Sequence, residues 1–228
     1  MNPTDLPDPQ DLLALAFFVL CWVGYTRFTG HASRSAKSLL AVTNRYRLLW
    51  IREMIRRDNR TMDTIMIGNL QRSITFFANT TIFILLGLMS MLGYYERWSD
   101  IISHIPYAKP STPFMWELKI FVLILIFIYA FFKYTWSLRQ YNYASIFVNS
   151  VPPHDECADI YDTILTKGAY LTSNAAHHFN NGLRAYYFAL AVLAWFIHPY
   201  CFIAATAWIV FVTHRREYHS KTLANLAD

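Results

Sequence analysis

A chain of 228 residues that is 55% hydrophobic, 17% aromatic and only 15% charged departs from soluble domains, which carry about 25% charged and about 45–50% apolar residues. Its apolar residues gather into long stretches almost free of charge, which excludes a soluble globular protein and implies an integral membrane protein. The net charge of +5 lies between and after those stretches, a pattern of membrane orientation and not of nucleic-acid binding.

The N-terminal "MNPTDLPDPQDLLALAFF" is acidic and lacks the positive region of a signal peptide, so the first span, residues 12–28, is expected to be retained. Arg27 can snorkel at its end. Within residues 34–57, Ala36, Leu39, Leu40, Leu49, Trp50 and Met54 fall at spacings built from threes and fours, which predicts an amphipathic cytoplasmic helix. Arginines cover much of its remaining surface. Arg45, Arg47, Arg52, Arg56, Arg57 and Arg60 have two readings. They lie on the anionic cytoplasmic leaflet, each worth about 1 kcal/mol, or they face water while the apolar stripe packs on the membrane bundle.

The second span is predicted at residues 73–93 and the third at 114–132, each near the ~20 residues that the hydrocarbon layer requires. Between them, Tyr94, Tyr95, Trp98 and Tyr107 read as an interfacial aromatic belt. Residues 134–150 continue helically past the third span, "VPPHDE" breaks the chain, and 156–180 form another helix rich in small and polar residues. Cytoplasmic helices are thus expected over about 34–57 and 134–176. Asp155, Glu156, Asp159 and Asp162 share a face there, as a solvated stripe or as counter-charge for the arginines.

The last apolar stretch, 185–213, is one tilted helix or a hairpin of two. Pro199 removes a backbone donor and disfavours helix at His198, giving spans at 179–197 and 200–214. Loop charge arbitrates. Residues 30–72 hold nine Lys/Arg, the N-terminal tail has only Asp5, Asp8 and Asp11, and the C-terminal "HRREYHSK" is basic. The positive-inside rule puts the N-terminus outside and both basic segments in the cytoplasm, which requires five spans.

Residues 177–195, "HHFNNGLRAYYFALAVLAW", carry hydrogen-bonding capacity straight into an apolar span. His177, Asn181 and Arg184 can share one helix face, with Asn180 beside them. An arginine at the midplane costs about 2.5–3.5 kcal/mol on insertion scales, and less near the boundary or facing polar groups. Asn69, Asn79, Asn142 and the tyrosines of 134–143 are candidate partners. One reading is a polar cytoplasmic mouth that binds an anion, a lipid headgroup or a small metabolite. The other is a packing network with Arg184 snorkelling to phosphates.

Metal and haem find little support. His177 and His178 are adjacent and point about 100° apart on a helix, and no HExxH or comparable spacing occurs. The three cysteines form no paired motif. There is no GxSxG, no phosphate-binding glycine loop and no pair of intramembrane carboxylates. No cofactor, metal or catalytic set is expected.

The stretches "TWSLRQYNYASIFVNSVP" and "AHHFNNGLRAYYFALAVLAWFIHPYCFIAATAWIVFVTHRREYHSKT" resemble the family of membrane proteins called domain of unknown function 599. The matching features are W-S-x-R-Q-Y-N-Y after the third span, F-N-x-G-x-R-x-Y-Y-F-x-x-A opening the fourth, the W-F-x-x-P break and the R-R-E-Y/F tail. The resemblance covers nearly the whole chain, implies a multi-span bacterial-type membrane protein and supplies no activity. It picks out Arg139, Asn142, Tyr143, Asn180, Gly182, Arg184, Tyr186 and Tyr187.

The expected architecture is an all-α polytopic protein, a single membrane domain over 1–228 in the bacterial inner membrane, N-terminus out and C-terminus in. One expected function is a non-enzymatic channel-like, transporter-like or ligand- or lipid-binding protein working through Arg139, Asn142, Tyr143, His177, Asn180, Asn181 and Arg184. Without a visible inverted repeat, a pore would come from a homo-oligomer. The alternative is a structural or accessory subunit of a larger membrane complex. Membrane lipids are the expected partners of either.

Overall fold

The computed structural model describes residues 8–32, 38–104, 111–153 and 160–227, with the side chains of residues 31, 32, 99, 102, 103 and 227 left aside. Among them run eight helices and no strand: α1 Pro9–Ala32, α2 Leu39–Ile55, α3 Thr61–Met91, α4 Tyr95–Ser103, α5 Pro113–Ser150, α6 Tyr161–Trp195, α7 Pro199–Tyr218 and α8 Lys221–Ala227. Arg34, Lys37, Tyr107, Lys109, His154, Asp155, Glu156, Cys157 and Asp159 lie outside the described residues, and with them most of the expected acidic stripe.

Local chemistry sets the boundaries. Proline opens α1, α5 and α7, a position where its missing N–H costs no helical bond. Ser38 caps α2 by accepting from the Ala41 N–H at 3.1 Å, and Ser220 caps α8 by accepting from the Leu223 N–H at 3.1 Å. The Asn59 carboxamide accepts from the Thr61 N–H at 3.0 Å where α3 begins. His198 Nδ1 accepts from the Tyr200 N–H at 3.2 Å, so the residue before Pro199 caps α7 while the last apolar stretch breaks at 196–198. A break was expected at "HPY", and it is there.

Three helices are long and apolar enough to cross a membrane: α1 over Pro9–Gly30, α3 and α5. α5 has 38 residues, about 57 Å at 1.5 Å per residue, well beyond the roughly 30 Å of hydrocarbon. Residues 134–150 are thus its continuation, as the sequence suggested. α3 begins at Thr61, twelve residues before the predicted second span. α4 occupies a segment read only as an aromatic belt. The middle of α6 holds His177, Asn181 and Arg184, and every 18-residue window of α7 includes Arg215 and Arg216.

Contacts divide the chain into two compact units. The first comprises residues up to His31, Thr81–Ala130 and Leu183–Arg216; the second comprises Ala32–Thr80, Phe131–Gly182 and Glu217 onward. In the first unit Phe18, Phe188 and Phe202 form an aromatic core with Trp195, which stacks on Phe202 at 4.9 Å. Trp116 meets Phe196 edge-on at 5.1 Å.

In the second unit Tyr134, fully buried, forms a three-ring cluster with Phe77 at 5.6 Å and Phe179 at 5.8 Å. Gly182 is what admits that ring, because a Cβ there would sit 2.5 Å from Tyr134 Cε1. Gly168 is held closely too, with Ile51 and Phe147 at 2.9 and 3.1 Å from its would-be Cβ.

α2 buries Leu40, Val42, Ile51, Met54 and Ile55, whereas Leu49 of the predicted stripe is exposed. The stripe is rotated because Ile51 and Ile55 join Leu40 and Met54 at helical spacing. Its arginines are partly engaged. Arg47 donates to Asn44 at 2.7 Å, and burial holds its guanidinium below the ordinary value while Tyr141 opposes the shift. Arg57 pairs with Asp63 at 3.4 Å, and Arg60 donates to the Val151 and Pro152 carbonyls. Arg56 bridges exposed Glu53 at 3.3 Å, and Arg45 and Arg52 are exposed.

Candidate functional site

The first unit contains an arginine set among aromatic and hydroxyl groups. Along α1, Trp22, Tyr25, Thr26 and Thr29 recur at i, i+3, i+4 and i+7, which places them on one face. Arg184 of α6 donates to Thr29 Oγ1 at 2.6 Å, and its guanidinium lies over the Tyr25 ring at 5.4 Å. Its charge also acts on Tyr129 of α5. Thr29 Oγ1 in turn donates to the Tyr25 carbonyl at 3.0 Å, so its lone pairs remain for the guanidinium. A cation beside an aromatic face and a hydroxyl acceptor stays charged at lower cost than in bare hydrocarbon.

The tyrosines after Arg184 have partners of their own. Tyr186 shares a hydrogen bond of 2.8 Å with buried Thr81 and meets Phe127 edge-on. Arg216 donates to the Tyr187 hydroxyl at 3.2 Å and lies over its ring.

The remaining predicted residues belong to the second unit. His177 Nε2 and the Asn181 amide are 3.0 Å apart, joined as the i, i+4 spacing suggested. Asn142 accepts from Gln71 at 2.7 Å, and Asn69, another proposed partner, accepts from Arg72 at 2.7 Å. Asn79 is exposed and Asn180 is half-buried. Arg139 is exposed and lies over Trp136 at 5.8 Å, and Tyr143 is exposed. His178 packs edge-on against Trp136, with its Nδ1 buried and without a hydrogen bond. Burial, then the charges of Lys133 and His177, push its imidazole down to about 4.

The structure adds two buried charged residues that the sequence did not single out. Asp11, taken for part of an external tail, is buried in the first turn of α1 and accepts from the Trp195 indole N–H at 2.6 Å. Lys119, inside the third span, is also buried; it donates to Ser111 at 2.8 Å, with its ammonium 5.6 Å from the Trp195 ring centre and 5.7 Å from that of Phe196. Asp11 opening a helix behind a proline was the available signal, since an acid in a first turn favours the helix dipole.

No group of three or more His, Cys, Asp or Glu able to hold a metal occurs among the described residues. Cys21 and Cys201 are free thiols. The arrangement suits electrostatic recognition of an anion, through a cation fixed by Thr29 and Tyr25 beside further hydroxyls.

No curated protein and no solved structure matches the chain. The family described as "Protein of unknown function, DUF599" matches residues 13–222. The chain belongs to that family.

Proposed function

We propose that this is a non-enzymatic integral membrane protein that binds an anionic ligand at the cytoplasmic mouth of its helix bundle, with Arg184 as the cation that receives it. The observation that carries this reading is the geometry around Arg184, whose guanidinium is held by a hydrogen bond to Thr29 and by the aromatic face of Tyr25. A guanidinium has five donors in a planar fork, suited to bidentate capture of phosphate or carboxylate. Asn181 and His177 lie one and two turns earlier on α6.

The reading includes five spans in the plasma membrane of a bacterial cell, N-terminus out and C-terminus in. Leu190 and Leu193 of α6 and Trp208 and Phe211 of α7 are large, apolar and exposed, which supports lipid-facing surfaces on both helices. The basic residues of 30–72 and of the C-terminal segment supply the orientation. A reporter fused after Asp228 should be cytoplasmic; an external reporter would overturn the five-span count.

The ligand reading is tested by native mass spectrometry of the protein gently extracted from its own membrane, as wild type and as Arg184→Gln. A defined anionic species retained by the wild type and lost from the variant is the expected result. A stoichiometric protein partner retained by both, with no anionic species, would overturn it in favour of an accessory subunit.

A further inference from the structure

A groove of about 310 Å³ opens in the first unit, lined by Trp22, Val23, Thr26 and Arg27 of α1 and Tyr129 of α5. Its lining changes character along α1. Trp22 and Val23 form an apolar wall, with the Trp22 ring edge-on to Tyr129 at 5.5 Å. One turn further on, towards the end of the span, come a hydroxyl and a guanidinium, Thr26 and Arg27. Val23 and Arg27 are exposed, so the groove opens sideways to whatever surrounds the helices.

Two charges bear on its polar end. Arg27 lines it, and the charge of Arg184 acts on Tyr129 of the lining. Thr26 adds an unusual feature: its Oγ1 is buried and has no hydrogen-bond partner among the described residues. Threonine hydroxyls in helices ordinarily bond back to a carbonyl three or four residues earlier, as Thr29 does. An unsatisfied hydroxyl in a low-dielectric setting is costly unless something accepts from it.

An apolar wall deep in the span, followed by a hydroxyl donor and cations at its end, matches the polarity of an amphiphile whose headgroup is negative. The volume is too small for a whole lipid and suits the glycerol region with the first carbons of one chain. We propose that this groove holds one anionic phospholipid of the cytoplasmic leaflet, its phosphate received by Arg27 within reach of the charge of Arg184, and its glycerol region seated against Thr26. This rests on the reading of Arg184 as the receiving cation and names the class of ligand and the wall that seats it. A zwitterionic lipid has a phosphate too, but its own ammonium offsets the attraction of two arginines, so the site discriminates by net charge.

The full chain is purified in detergent and incubated with vesicles of phosphatidylglycerol or of phosphatidylcholine with identical acyl chains. Native mass spectrometry then counts retained lipid. The wild type is expected to keep one phosphatidylglycerol in preference to phosphatidylcholine. Val23→Trp, which fills the groove from an exposed position, should abolish that preference. Arg27→Gln should lower retention about fivefold, the worth of one basic residue at an anionic surface. Lys167→Gln removes a charge beside a separate recess of the second unit and should change nothing.

Equal retention of the two lipids by the wild type, or none of either, would overturn the proposal. So would a preference that survives Val23→Trp and Arg27→Gln. If that surviving preference is lost in Arg184→Gln, only the groove is refuted and the arginine keeps its role. If it survives there too, both readings fall.

Discussion

The two units differ in where their charged groups are held, although in each a buried carboxylate accepts from an indole N–H. In the first, Asp11, Lys119 and Arg184 each meet aromatic rings: Trp195 for Asp11, Trp195 and Phe196 for Lys119, and Tyr25 for Arg184. In the second, arginines gather at helix ends and tie segments together, Arg57 to Asp63 and Arg60 to the carbonyls that follow α5. Aromatic faces and strong hydrogen bonds keep a charge tolerable where water is scarce. Helix-end arginines need no such arrangement, because carboxylates and free carbonyls are at hand. A charged residue in the first unit is thus the more expensive one to maintain, and the more telling about function.

The comparison is broken most severely at Trp195. It is fully buried, stacks on Phe202 and donates to Asp11, so Trp195→Ala should cost about 3–5 kcal/mol. Chemical unfolding in detergent measures it, and a loss under 1 kcal/mol would show that Asp11 does not depend on this ring. The matching test in the second unit is Gly182→Ala. Its methyl would meet the buried Tyr134 ring at 2.5–2.9 Å, an overpacking worth about 1–3 kcal/mol. A pair of variants, Gly182→Ala with Tyr134→Leu, should recover part of the loss if the clash is the cause.

Asp63→Ala comes next. The carboxylate is buried, accepts from the Trp50 indole at 2.7 Å and from Arg57 at 3.4 Å, and a hydrogen bond to a charged group contributes about 1.5–3 kcal/mol. Trp50 fluorescence should shift as its N–H loses the partner, and an unchanged spectrum with unchanged stability would contradict the tie.

The smallest effect is a pH dependence from His178. Its folded value, near 4, lies below the ordinary value of about 6.5, so the folded state favours the neutral ring. Stability from this group is therefore present above about pH 6.5 and is lost as pH falls from there through 4. His178→Phe should flatten the wild type's loss across that window. A steeper acid loss in the variant would contradict the burial of this ring.

Much of the fold was legible because it rests on hydropathy and proline. The apolar runs of α1, α3 and α5, the continuation of α5 to Ser150 and the break before Pro199 follow from local sequence. α4 was not legible, since nine residues in a connecting segment show no long apolar run. The face of α2 was misplaced because it was read from leucines and Trp50, while β-branched Ile51 and Ile55 completed the buried side.

The candidate site was half legible. The pairing of His177 with Asn181 follows from i, i+4 spacing. Thr29 and Tyr25 as partners of Arg184 did not follow, because hydropathy counts a threonine and a tyrosine in a span as nearly neutral. Their spacing with Trp22 and Thr26 was the signal. Asp11 was hidden for the converse reason, an acid near the N-terminus being ordinarily solvated.

The proposed function requires the polar stretch of α6 to lie at the cytoplasmic boundary. The direct measurement is labelling of Asn180→Cys, in a chain whose Cys21, Cys157 and Cys201 are replaced by serine, with a membrane-impermeant thiol reagent. Labelling in inverted vesicles and protection in right-side-out ones is the expected result. Labelling only from the outer side would place the mouth, and Arg184 with it, on the wrong face of the membrane.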